Sequence, residues 1–90
     1  MEIKQSVKNT MDRLGIDYLT LGKSTEKVEV FNRFGGGSCQ TTPLVARCIS
    51  KIYALNDAYD SGKNINVADF DRLRYFVLEA DKEAYYTCID

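Results

Sequence analysis

The residues best placed to do chemistry fall in one stretch: Arg33, Gly35, Gly36, Gly37, Ser38, Cys39, Thr41 and Thr42. Consecutive glycines let a backbone approach a ligand closely, and N–H groups gathered at a helix N-terminus attract anions. Ser38, Thr41 and Thr42 add hydroxyls, and Arg33 adds a positive charge just before the glycines. The chemistry on offer is retention of a small anion, such as a phosphate, nucleotide or carboxylate, on the loop from Gly35 to Thr42. A plain linker would also use glycines here, and Pro43 removes one N–H donor from that helix end.

Cys39 lies in the same stretch, where a helix dipole would depress its pKa and make the thiol reactive. The chain contains no histidine. That removes the commonest general base and the Cys/His nucleophile pair. Three cysteines without histidine also leave a zinc site one N/S ligand short. No catalytic residue, metal or cofactor is therefore expected, and the chain reads as non-enzymatic. Cys48 sits on an apolar helical stripe and reads as core.

Two further patterns have simpler structural readings. Gly22-Lys23-Ser24-Thr25 resembles the end of a phosphate-binding loop, but the position five before Gly22 is Asp17, not glycine. Asp69-Phe70-Asp71-Arg72-Leu73-Arg74-Tyr75 mixes arginines with aromatics, yet its aspartates balance the arginines, and i,i+3 ion pairing explains the set. With a formal net charge of −1, nucleic acid is a disfavoured partner. Asp57 and Asp60 sit near a helix C-terminus, the end where the dipole disfavours acidic groups.

Six tyrosines beside four phenylalanines are more than a 90-residue core holds. Tyrosine suits interfaces, being apolar along the ring and polar at its tip. Tyr75, Tyr85 and Tyr86 are the candidate interface residues. The last third of the chain, 64–90, carries three basic against six acidic groups and forms a mildly acidic surface.

The elements that must position these groups follow from periodicity. Ile3, Val7, Met11 and Leu14 mark a helix over 2–14, stopped by Gly15. Residues 16–21 and 27–34 read as two strands, joined through Gly22–Glu26 as a hairpin. Thr42 caps a helix with Pro43 at its first position, running to about Tyr59 before Ser61-Gly62. Asn66, with Asp69 three residues on, starts a last helix on which Phe70, Leu73, Val77, Ala80 and Ala84 share a face. The expected fold is a small single α+β domain over residues 1–90: an N-terminal helix, a β-hairpin, then two antiparallel amphipathic helices.

No apolar run approaches the roughly 18 residues of a membrane span, and the N-terminus lacks a signal-peptide core. Three cysteines in no paired spacing suit a reducing, cytoplasmic setting. A hairpin with open edges and helix faces wider than a small core needs point to protein–protein binding. The expected function is that of a homo-oligomeric accessory or inhibitor-like protein, which works by occluding or scaffolding another protein. The alternative is a sequestering protein for a small anionic ligand on the Gly35–Thr42 loop.

Overall fold

The computed structural model describes residues 2–90. Its order is α1 (Gln5–Arg13), α2 (Tyr18–Leu21), β1 (Val28–Phe31), β2 (Ser38–Thr41), α3 (Pro43–Asp60), α4 (Val67–Ala80) and α5 (Lys82–Cys88). The α+β class holds, with a two-stranded antiparallel hairpin set among helices.

Three local assignments differ from the sequence expectation. Residues 18–21 form one helical turn and not a strand. The Asp17 side chain accepts from the Thr20 N–H at 3.2 Å, and this cap outweighs the strand preference of Tyr18-Leu19-Thr20-Leu21. The hairpin therefore does not turn at Gly22–Glu26. Its second strand is Ser38–Thr41, in register Val28↔Thr41 through Phe31↔Ser38. The last helix is also interrupted: Asp81, at φ −155°, leaves the helical region, and α5 starts anew behind it.

The long helices start where expected. Thr42 Oγ1 accepts from the Val45 N–H, with Pro43 at the first helical position, and Asn66 Oδ1 accepts from the Asp69 N–H. A connection of six residues joins α3 to α4, which favours an antiparallel pair. One core links the elements through Met11, Val45, Cys48, Ile49, Ile52, Leu73, Val77 and Ala84. Each fully buried leucine, isoleucine or valine contributes about 1.5–3 kcal/mol relative to exposure.

The Cα extents are 36 × 33 × 18 Å, thin in one direction. A helix with its side chains is about 10 Å across, so only two layers fit within that thickness. Few positions in such a slab have neighbours on every side. Phe31, Phe34, Tyr59, Val67, Tyr75 and Tyr86 accordingly remain exposed.

A polar cluster fastens α1 to the start of α4. Asp69 is 3% exposed. Its carboxylate accepts from Thr10 Oγ1 at 2.7 Å, from Arg13 Nη2 at 2.6 Å and Nε at 3.1 Å, and from Arg72 at 3.2 Å. These partners satisfy the buried charge, and the Arg13 hydrogen bonds foremost hold its pKa down at about 2. Asp69 thus pairs across to Arg13 of α1 as well as with Arg72 three residues on.

Candidate interaction surface

The glycines sit at the tip of the hairpin, so they neither link it to a helix nor lie at a helix end. The Asn32 N–H donates to Gly37 O at 2.8 Å and the Gly35 N–H donates to Asn32 O at 3.0 Å. Gly35 and Gly37 have φ of 87° and 115°, where glycine is favoured. Strand β2 then separates this turn from the N-terminus of α3. The structure thus splits the expected anion loop: Gly35, Gly36 and Gly37 form the turn, Ser38 and Thr41 lie on β2, and Thr42 caps α3.

The polar groups of that set have protein partners. Arg33 makes a two-pronged pair with Asp57, both bonds 2.7 Å, which answers why an aspartate stands near the end of α3. Its guanidinium also lies 4.5 Å from the Tyr53 ring centroid and 5.0 Å from that of Phe34. Thr41 is fully buried and donates to Asp81 Oδ2 at 2.7 Å. Ser38 Oγ donates to Glu29 at 3.3 Å. Asp60 accepts from Asn56 at 3.4 Å.

Cys39 is buried on the inner face of β2, with its Sγ 4.0 Å from that of Cys88. Burial, reinforced by Cys88, pushes its thiol up to about 11. The expected depression by a helix dipole is corrected on this ground: the side chain points into the core. Burial likewise pushes Cys48 up to about 12. All three cysteines are free thiols. Among the described residues, no group of three or more cysteine, aspartate and glutamate side chains is placed to hold a metal ion.

The hairpin tip is clamped against α3 and α5. The Asn32 side chain accepts from the Phe34 N–H at 2.8 Å and donates to Thr87 O at 2.9 Å. Tyr53 Oη donates to Cys88 O at 2.6 Å. Phe34 is thereby held edge-on to Tyr53, with ring centroids 6.2 Å apart, while 74% exposed.

From Phe34 an apolar surface runs along α3 and α4. It contains two shallow cavities of about 290 and 300 Å³ that share Asn56 and Phe70. Phe34, Tyr53 and Ile89 line the first, and Tyr59, Ile65 and Val67 the second. Tyr59 and Val67 are 63% and 58% exposed. Ion pairs border the strip: Arg33–Asp57 at the hairpin and Arg74–Asp71 at 3.6 Å on α4.

The three tyrosines singled out from sequence lie apart from most of this strip. Tyr85 is half-buried against the core, and its Oη accepts from Arg74 at 3.2 Å. Tyr86 packs edge-on against Tyr85 and is exposed. Tyr75 is exposed and lines a different cavity, with Ile3 and Val7. The exposed aromatics that line the strip are Phe34 and Tyr59, neither of which is among the three tyrosines expected at an interface.

Among the described residues, no helix is long and apolar enough to cross a membrane. In comparisons with known proteins, the chain matches no protein-family model, no curated protein and no solved structure.

Proposed function

We propose that this chain is a small non-enzymatic interaction protein of the cytoplasm that acts by protein–protein binding as a homo-oligomer, in an accessory or inhibitor-like role. The observation carrying this reading is the apolar strip of Phe34, Tyr53, Tyr59, Val67 and Phe70 on the α3/α4 face. A contiguous apolar patch rimmed by charges is the usual form of a protein-binding surface, with aromatic anchors at its centre. The thin fold supports the same reading, because a second protein supplies the layer this face lacks. Free, buried thiols suit a reducing compartment.

Native mass spectrometry of protein purified gently from its producing cells tests the reading. The expected species contains more than one polypeptide. A Val67→Glu substitution, which puts a charge into the strip, is expected to release a bound second protein while leaving the circular dichroism spectrum unchanged. A bare monomer at every concentration counts against the proposal.

A further inference from the structure

Strand β1 is bonded to β2 on one side only. Its free edge can be assigned residue by residue. The Asn32 N–H points toward the partner strand, where it meets Gly37 O. Backbone groups alternate in direction along an antiparallel strand, so Val28 and Val30 point the same way as Asn32. Glu29 and Phe31 then direct their N–H and C=O groups away from β2, and a strand extended by one residue carries the same alternation to Lys27.

The edge is a short strand of four residues, but it lacks two of the usual protections against pairing, a proline and a bulge. The only proline, Pro43, lies in α3. The register with β2 is continuous from Val28 to Phe31, with no bulge. Phe31 is 63% exposed. Two charges stand on this edge, Lys27 and Glu29, and they are opposite in sign and two residues apart.

That spacing is self-complementary. We propose that a second copy of this chain pairs antiparallel along the β1 edge, about a two-fold axis at Val28. This rests on the homo-oligomer reading above and places the self-contact on the β1 edge, apart from the apolar strip of α3 and α4. In this register Val28 faces Val28 of the second copy, and Lys27 faces Glu29 of the second copy, twice by symmetry. Pairing extends β1 to Lys27, so that Lys27 and Glu29 present outward backbone groups and exchange the inter-chain N–H···O=C bonds. The valines form the closer, non-bonded pair at the axis. Shifting the axis to Glu29 would set two like charges face to face, and shifting it to Val30 would place Glu29 against Phe31; both are poorer cross-strand pairs. The product is a four-stranded sheet, which is more stable than an isolated two-stranded one.

The test is sedimentation equilibrium of the purified chain and of charge variants. Wild type is expected to dimerise. Glu29→Lys and Lys27→Glu each turn two attractive pairs into repulsive ones and should weaken the dimer by about tenfold or more. The double swap Lys27→Glu/Glu29→Lys should restore it. Both residues are exposed, and circular dichroism checks that the variants fold. Val28→Cys should cross-link across the axis into a covalent dimer under mild oxidation by a small-molecule disulfide. A wild-type dimer that ignores the swaps and yields no cross-link overturns this register while leaving the homo-oligomer reading intact. A monomer at all concentrations overturns both.

Discussion

Replacing Asp69 by asparagine removes the charge from the one buried carboxylate while preserving its shape. In the folded chain this group titrates near 2 rather than at 3.8, mainly through its hydrogen bonds with Arg13. A lowering of that size has a ceiling of about 2–3 kcal/mol, at about 1.4 kcal/mol per pKa unit. The Arg13 and Arg72 side chains are 51% and 41% exposed, so water and salt screen the pairing. A contribution of about 1–2 kcal/mol is the realistic share. In Asp69→Asn the amide oxygen still accepts from Thr10, Arg13 Nη2 and Arg72, but the amide N–H groups confront the Arg13 Nε donor. The expected loss at neutral pH is about 2 kcal/mol.

The pH dependence carries the sign. A carboxyl whose folded pKa is depressed stabilises fully above its unfolded value and loses that contribution as pH falls through the folded value. The gap between wild type and Asp69→Asn should be constant above about pH 5 and narrow by about 1–2 kcal/mol on descending to about pH 2. Urea unfolding followed by circular dichroism across that range reads both quantities. A gap that does not narrow in acid, or a variant as stable as wild type at neutral pH, would refute the electrostatic account of this cluster.

Cys39 and Cys88 should close a disulfide when glutathione disulfide is supplied. The two thiols lose two protons and two electrons, and the oxidant leaves as two glutathione thiols. Because the Cys39 thiol is held up at about 11, closure should accelerate with rising pH; intact mass and peptide mapping score it. The closed loop spans a sequence separation of 49, which should add about 4 kcal/mol of stability. Mapping of the bond to Cys48 would contradict the geometry. Gly36→Val should destabilise the hairpin by about 1–3 kcal/mol in urea unfolding, because a Cβ there lies 2.6 Å from Asn32 Nδ2 and displaces the amide that holds Thr87. Unchanged stability would show that the Asn32 clamp contributes nothing.

What could be read from the sequence was what is encoded locally. Thr42-Pro43 and Asn66 mark their helix starts through side chains that reach only three residues along. The strand assignment for residues 18–21 failed because propensity was weighed without the cap; Asp17, three residues before Thr20, was the available signal. Strand β2 escaped notice because its inward residues are Cys39 and Thr41. A buried threonine hydroxyl is tolerable only because Asp81, forty residues on, accepts its hydrogen bond. The interruption at Asp81 was hidden by Ala80 and Ala84, which keep the helical spacing across it. The Thr10–Arg13–Asp69 cluster and the Arg33–Asp57 pair join residues far apart in sequence, and no local pattern announces such pairs. Of the candidate surface, neither exposed aromatic was legible: Tyr59 falls by spacing with the apolar residues of α3 yet is exposed, and Phe34 is aimed by a glycine-rich turn.

The break at Asp81 has a consequence for the order in which the chain assembles. A seven-residue helix is too short to persist alone in water. Besides its own cap and the Tyr85–Arg74 bond to the neighbouring α4, α5 is tied down through Asp81 to Thr41, through Thr87 O to Asn32, and through Cys88 to Tyr53 and Cys39. The ties to the hairpin and to α3 each span at least 35 positions of chain. Such distant closures come late, after the local α3–α4 pairing is in place. The hairpin and the terminal helix are therefore expected to behave as one cooperative unit that docks last and departs first. Amide hydrogens in residues 28–41 and 82–88 should exchange together, ahead of those in the α3–α4 core.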